Sequence, residues 1–337
     1  MPPFKEILAA ISAHQSFMIV GHVGPDGDAI GSGLALRLAL ESLGKRAIVI
    51  STDGVPLGCR FLPLQETVVR ELPQGFKPQC VFVIDCDGTP ERVAAPHRII
   101  ETAPYRILID HHRSSRPVFE VNWIDINQPA TALMIYQLIM QMQVTLTFEM
   151  AQSLLCGLST DTGHFRFTNT TPEALQAAAH MVEAGADPAL VAFKLFDERS
   201  LESTRLLGTA LSKMDSDCNG QLMWTALEMK DFEAAGAGDE ASENVVNFLR
   251  NVRGARMAII MRERRDETGS VTRISVRSEE SLRSDLFCNK FGGGGHAAAA
   301  GCRIRHTPFD QSVRIVLDAA REWLAEEVDL VAPSSTL

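Results

Sequence analysis

Arg106-Ile-Leu-Ile-Asp110-His111-His112 is a short apolar run that stops at a carboxylate followed by two imidazoles. Three comparable places lie in the first half of the chain: His22-Val-Gly-Pro-Asp26-Gly-Asp28, Ile84-Asp85-Cys86-Asp87 and Ser159-Thr160-Asp161-Thr162. Each carboxylate sits where a hydrophobic strand-like or helical run gives out, which is where open parallel sheets build their sites. The runs themselves, Ser16-Phe-Met-Ile-Val20, Ala47-Ile-Val-Ile-Ser51, Val81-Phe-Val-Ile84 and Arg106-Ile-Leu-Ile109, are continuously apolar and do not alternate. That pattern predicts a parallel sheet covered on both faces. Helical patterns fall between them, over 29–43, 131–142 and 148–158, and another begins at Thr171-Pro172 with Thr at the cap and Pro in the first turn. The fold class is therefore α/β.

Beyond residue 198 the signals change. The stretch 198–214 is polar and helical and reads as a connector. Strands follow at Gln221-Leu-Met-Trp-Thr-Ala226, Arg256-Met-Ala-Ile-Ile-Met261 and Val271-Thr-Arg-Ile-Ser-Val276, with a hairpin turn at Glu267-Thr-Gly-Ser270. Helices over 242–252 and 308–327 complete a smaller α+β domain. The expected division is a domain over 1–195, a helical connector over 196–215, a second domain over 216–330 and a disordered tail over 331–337, with the active site in the cleft between the domains.

At 337 residues, two domains are the default expectation, and a hydrophobic share of 45% supplies ample core. No apolar run approaches the roughly 18 residues of a membrane helix. The N-terminus lacks the layout of a signal peptide. The seven cysteines are scattered without a C-x-x-C pair, so zinc-finger and disulfide-framework readings fail and a cytoplasmic location is expected. A net charge of −10 argues against a long nucleic-acid track. The charge is uneven: residues 250–305 hold eleven Arg and one Lys against six acids, a local +6 that leaves −16 elsewhere. An acidic half beside an arginine-rich half suggests a small, highly phosphorylated substrate.

The acidic motifs supply about six Asp and His side chains, the chemistry that holds two divalent cations side by side. Such a pair needs a bridging carboxylate, terminal carboxylates and a few imidazoles. Hard oxygen donors with some nitrogen favour Mn²⁺ or Mg²⁺ over zinc. A lone Asp-x-Asp turn is more often a capped loop, but four such coincidences at run ends outweigh that reading. Cys86 reads as packing because no His is paired with it locally; His97 and His164 read as surface or core histidines, and Asp53 and Asp125 as turn residues. A second signal is Phe291-Gly-Gly-Gly-Gly-His296-Ala-Ala-Ala-Ala-Gly301. Its glycines let the backbone approach a ligand and offer N–H groups for an anion nest, with a helix N-terminus conceivable after them. Arg277-Ser278 ends the alternating strand, where a bidentate arginine could take a phosphate.

In this order and over about residues 5–325, these motifs resemble the DHH phosphoesterase superfamily with its DHH-associated C-terminal domain, and within it the NrnA-type oligoribonucleases that are also 3′-phosphoadenosine-5′-phosphate phosphatases. The resemblance implies that His22, Asp26 and Asp85 hold one Mn²⁺ and that Asp28, Asp85, His111 and Asp161 hold the other, with Asp85 bridging. It places His112 against the scissile phosphate. It assigns Arg277, Ser278, Gly293, Gly294, Gly295 and His296 to the rest of a nucleotide. The sequence departs from the pattern at Ala297-Ala298, where relatives commonly carry polar residues, so a base contact from there is not carried over. The implied activity is hydrolysis of short oligoribonucleotides to mononucleotides and of 3′-phosphoadenosine-5′-phosphate to AMP. A cyclic di-AMP or pApA phosphodiesterase is the rival, and a non-catalytic nucleotide sensor the rival of another class. The expected partners are short RNA or a small nucleotide and no membrane; a homodimer is left open.

Overall fold

The computed structural model describes residues 2–242, 244–267 and 269–331; the side chains of His97, His296 and residues 327–331 stand outside that description. The chain divides into two units, Met1–Glu198 and Arg199–Leu337. The expected tail over 331–337 falls outside the described residues except for Val331, which ends the last helix.

In the first unit the elements run α1 (Phe4–Ala13), β1 (Ser16–Val20), α2 (Gly27–Ser42), β2 (Arg46–Ile50), β3 (Cys80–Ile84), α3 (His97–Thr102), β4 (Tyr105–Asp110), β5 (Val121–Ile124), α4 (Thr131–Gln141), α5 (Phe148–Thr162), α6 (Pro172–Glu183) and α7 (Pro188–Ala192). The five strands form one parallel sheet in the order β2-β1-β3-β4-β5. Alternate residues face opposite cores. Phe17, Ile19, Phe82, Ile84, Ile107 and Ile109 pack with α1, α2, α4 and α5, whereas Met18, Val20, Val81, Val83 and Leu108 pack with Ala94 and Ile100 on the other side. Burial on both faces is why these strands read as unbroken apolar runs. The strand order reverses direction between β1 and β3, and in such sheets the crevice outside the carboxyl ends at that point receives ligands. His22–Asp28 follows β1 and Asp85 follows β3.

Helix α2 is buried on almost its whole surface. It lies against α5 at backbone distance because of glycines: a Cβ on Gly31 would come 2.2 Å from the Ser153 carbonyl oxygen, and one on Gly27 would come 2.1 Å from Thr160 Oγ1. Any larger residue would push the two helices apart. This approach brings the last turn of α5 to the first turn of α2.

The second unit contains α8 (Leu201–Ser212), β6 (Asp215–Asp217), β7 (Leu222–Leu227), α9 (Met229–Ala235), α10 (Val245–Arg250), β8 (Met257–Asp266), β9 (Gly269–Ser278), α11 (Ser284–Asn289), β10 (Gly294–His296), β11 (Ala299–Arg305) and α12 (Phe309–Val331). Its mixed sheet has the order β10-β11-β9-β8-β7-β6, with only β7 and β8 parallel. Met257, Ile259, Met261, Ile274 and Val276 face α11 and α12. On the opposite face Ala258 and Ile260 meet α8, α9 and α10. Helix α8 lies in the stretch expected as a connector; its Leu206 and Ala210 are fully buried in this core. No helix among the described residues is long and apolar enough to cross a membrane.

Candidate metal centre

After β1 the chain turns through Pro25, and Asp26 caps α2, its Oδ1 accepting from the backbone N–H of Asp28 at 2.9 Å and of Ala29 at 3.1 Å. The loop is tied down by Asp53, which accepts from the Gly24 N–H at 2.6 Å. His22 donates from Nδ1 to its neighbour's carbonyl, Val23 O, at 3.0 Å, since a carbonyl can only accept. That fixes the tautomer and leaves Nε2 facing Asp85 Oδ2 at 3.5 Å and Asp26 Oδ1 at 3.8 Å.

Asp85 follows directly on β3 with φ +52°, a left-handed conformation rare for a residue with a Cβ. Its backbone N–H still bonds Ile109 O at 3.0 Å, so the strain is held by the sheet. The carboxylate is 1% exposed. One oxygen faces His22 and the other, Oδ1, lies 3.5 Å from His111 Nε2 and accepts from Thr131 Oγ1 at 3.1 Å.

His111 follows β4 and donates from Nδ1 to Gln128 O at 3.1 Å, which again leaves Nε2 for the interior. There it meets Asp161 Oδ2 at 3.1 Å and Asp28 Oδ2 at 4.0 Å. Asp28 is fully buried. Its oxygens accept from Thr131 N at 2.6 Å, Ala132 N at 2.7 Å and Ser32 Oγ at 3.2 Å, so it also caps α4 from 103 residues away in sequence. Asp161 sits inside the last turn of α5, which the glycine contacts with α2 hold in place.

The six residues thus form two groups, His22–Asp26–Asp85 and Asp28–His111–Asp161, joined through Asp85; His112 adds a third grouping with Asp85 and His111. Burial by itself would lower both imidazoles, yet the carboxylates around them win. Asp26 and Asp85 raise His22 to about 11, and Asp161 and Asp85 raise His111 to about 12. Burial, followed by the neighbouring carboxylates, holds Asp28 well above the usual range. Burial pushes Asp161 up to about 6 even against the pull of His111. Asp85 is also penalised by burial, but His111 and His22 hold it below the usual carboxylate value.

Several observations test whether these donors suit cations. His111 Nε2 is buried among carboxylates, 3.1 Å from Asp161 Oδ2 and 3.5 Å from Asp85 Oδ1, yet makes no well-directed hydrogen bond to either, and a buried polar atom left so is costly. Four carboxylates and two neutral imidazoles carry a formal charge of −4, which two divalent cations would neutralise. The donors are oxygen and nitrogen without thiolate, the preference of Mn²⁺ and Mg²⁺. The residues fit the group.

Asp110, whose role could not be read from the sequence, turns out to be a positioning residue. It is fully buried, and its Oδ1 accepts from His112 Nδ1 at 2.7 Å and from the His111 N–H at 2.9 Å, while Ser115 Oγ donates to Oδ2. This hydrogen bond outweighs burial and raises the His112 pKa. Thr131 at the start of α4 and the Gln128 carbonyl before it were likewise invisible, because nothing local marks a residue that meets a strand end from another part of the chain. Cys86 is buried, its thiol pushed up to about 12 by that burial, which fits packing rather than attack. His164 lies beside the site chain, 3.2 Å from Ser159 Oγ, with a pKa lowered by burial.

In the second unit, Arg277 is half-buried at the end of β9, donates to Val276 O at 3.0 Å and has its pKa lowered by burial. Ser278 is buried, its hydroxyl 2.9 Å from Glu279 O and 2.7 Å from Ser284 Oγ. The glycines depart from expectation. Gly293 cannot offer its N–H to a nest, because that group donates to Cys288 O at 3.0 Å and closes α11. Nor does a helix follow: β10 and β11 form a hairpin pairing Gly294 with Gly301, Gly295 with Ala300 and His296 with Ala299. A Cβ on Gly293 would lie 2.2 Å from Gly301 O, and Gly295 has φ +146°, so glycine is demanded there by the hairpin itself. The backbone of His296 ends β10; its side chain lies outside the described part.

Residues 16–158 match the N-terminal domain of the DHH family, and residues 224–326 match the DHHA1 domain. The bifunctional oligoribonuclease and PAP phosphatase NrnA of Thermus thermophilus is 35% identical over 95% of this chain and 93% of its own. A crystal structure of an exopolyphosphatase-related protein from Bacteroides fragilis superposes with a TM-score of 0.85 at 22% identity, covering 97% of this chain and 96% of that one. RecJ from Thermus thermophilus, solved in complex with Mn²⁺, gives a TM-score of 0.52 at 14% identity over 94% of this chain and 54% of its own.

Proposed function

The chain belongs to the DHH family of phosphoesterases, and from that membership we propose that it is a two-cation hydrolase of short oligoribonucleotides and of 3′-phosphoadenosine-5′-phosphate. The observation that carries the reading is Asp85, whose two oxygens face two separate Asp/His groups. His22, Asp26 and Asp85 would hold one cation, and Asp28, Asp85, His111 and Asp161 the other. Mn²⁺ is favoured by the donor set, with Mg²⁺ next. Bound there, the pair would supply Lewis acidity toward the phosphate and acidify an attacking water.

The chain's own residues do the rest. The Val23 and Gln128 carbonyls fix His22 and His111 with Nε2 inward. Asp110 aims His112 and favours its protonated form, so its Nε2–H is positioned to donate to a phosphate oxygen as charge develops. Asp28 anchors α4 to α2 and keeps the two groups together. Arg277, Ser278 and the hairpin of β10 and β11 are assigned to the part of the nucleotide remote from the reacting phosphorus; Gly293 contributes there by letting the hairpin close against Gly301, not by its N–H.

A substrate panel in Mn²⁺ tests this: RNA from 2 to 24 nucleotides, 3′-phosphoadenosine-5′-phosphate, pApA and cyclic di-AMP. The proposal expects dimers to roughly pentamers, lengths taken from the family resemblance, to turn over much faster than the 24-mer, and the monophosphate product AMP from 3′-phosphoadenosine-5′-phosphate. Preference for pApA or cyclic di-AMP would move the chain to the dinucleotide phosphodiesterases. Absence of hydrolysis with every substrate would leave only a sensor.

A further inference from the structure

The two buried cysteines of the second unit touch. Cys288 lies in the last turn of α11 and Cys302 in β11, and their thiols share a hydrogen bond. Both belong to the core under the sheet, with Ile274, Leu282 and Phe287. Gly293 is held between their backbones: its N–H donates to Cys288 O at 3.0 Å, and a Cβ there would lie 2.4 Å from Cys302 Cβ. The pair therefore sits at the base of the β10–β11 hairpin, whose strand β11 sets Ala299 beside Arg277 of β9.

This pair is not inert packing. Burial pushes the Cys80 and Cys86 thiols up to about 12. Cys288 moves the other way: the hydrogen bond from Cys302, with the Arg277 charge adding to it, outweighs burial and Asp285 and holds it below a thiol's ordinary value. The same hydrogen bond, and then burial, keeps the proton on Cys302. A thiolate beside a proton donor and an arginine is the setting in which cysteine becomes nucleophilic. There is also a way in. Cys302 forms part of the wall of a cavity of about 640 Å³, with Gly292, Gly293, Gly294 and Gly301 around it. A glycine wall has no side chains to close it against a molecule little larger than water.

We propose that Cys288 and Cys302 are a reversible oxidation site, which hydrogen peroxide converts to a disulfide across the base of the glycine hairpin. The Cys288 thiolate attacks one peroxide oxygen. The O–O bond breaks, and the hydroxide that leaves takes the Cys302 proton and departs as water. The Cys302 thiolate then attacks Cys288 Sγ and the S–O bond breaks. This second hydroxide takes up from solvent the proton that Cys288 had released. The two thiols lose two electrons in all, and the peroxide gains them as two waters. Gly293 already lies against both cysteines, so drawing the sulfurs to bonding distance displaces the hairpin beside Arg277. The kinetic consequence rests on the reading of the chain as a hydrolase of short oligonucleotides; the disulfide does not.

The whole chain, reduced and loaded with Mn²⁺, is treated with hydrogen peroxide, the remaining thiols are alkylated, and the products are mapped by mass spectrometry. The expected result is a linked Cys288–Cys302 peptide lacking two hydrogens, restored by dithiothreitol. The melting temperature should rise by a few degrees, as a crosslink closing so short a loop gives. On oxidation KM for a dinucleotide should rise about threefold, less than from losing Arg277 itself, while bis-p-nitrophenyl phosphate is unaffected. Cys288→Ser and Cys302→Ser should each abolish the link and the KM change; Cys218→Ser, at a half-buried thiol outside the pair, should abolish neither. A link between other cysteines, oxidation without a link, or a disulfide that leaves KM and melting as they were overturns the proposal while the hydrolase reading stands. A reduced wild type inert toward the dinucleotide overturns that reading, and the mapped link with its melting shift still decides the site.

Discussion

The acidic centre of the first unit and the arginine face of the second solve opposite problems. Around Asp85, charged groups are buried, lie 3–4 Å apart, and are fixed by backbone carbonyls, helix caps and glycine-mediated helix contact. Around Gly301, arginines line a groove on one sheet face, held by hydroxyls and by carboxylates at its rim. Dense like charge in a buried place must be offset by protons or by cations, and the first site's donor set suits ions. An open cationic face leaves room for ligands of different length, which suits recognition. Substitutions at the two places should therefore fail in different ways.

The sharpest break is Asp85→Ala, which removes the carboxylate that faces both groups. It should cost about a hundred- to a thousandfold in kcat, the scale of losing a group that stabilises charge in the transition state, while circular dichroism shows a retained fold. Near-wild-type turnover at saturating Mn²⁺ would end the metal assignment. Next comes Asp110→Asn, which keeps the shape but weakens the hold on His112. A loss of about 10–100-fold is expected, as for groups that orient a functional ligand, with a shifted pH–rate profile that a merely structural role would not give.

Gly31→Ala probes whether helix approach sets the centre. Its Cβ would clash with Ser153 O, so about 1–3 kcal/mol of stability should be lost through overpacking. Mn²⁺ affinity should fall as well, because Asp161 moves with α5; thermal melting and metal titration read the two effects separately. On the other side of the comparison, Arg277→Ala should raise KM for a dinucleotide about tenfold and leave bis-p-nitrophenyl phosphate, which lacks the remote part, much less affected. Equal losses would move Arg277 into the reacting centre. The smallest effect is in protons. His22 and His111, raised to about 11 and 12, are protonated at pH 7 without metal and must be neutral to bind it. Loading should release protons from both imidazoles and from Asp28, whose carboxyl burial holds well above the usual range, seen as a buffer-dependent heat in calorimetry, and affinity should rise with pH.

Much of the first unit was legible because its signals are local. The unbroken runs at β1, β3 and β4 mark strands buried on both faces, and Asp26 at a cap and His22 at a strand end are set by a few neighbouring residues. Asp161 was placed at the end of its helical run, although α5 continues to Thr162 and holds it within the last turn. The glycine run was legible as a site of close backbone approach but not as a hairpin. Nothing in Gly-Gly-Gly-Gly-His tells a nest from a strand until Gly301 and Ala300 come to pair with it.

The sequence by itself determined which residue types stand at the ends of which runs, and hence the parallel sheet, the donor set and the family. Those features depend on strand burial, capping and spacing over a handful of residues. Only the tertiary structure decided that Asp85 presents one oxygen to each group, that Asp28 caps a helix 103 residues away, and that Asp110 aims His112. Only it stacked Arg262, Arg273 and Arg303 on one rung of three strands. Contacts of that kind join segments with no local relation, and they are set by how whole elements pack.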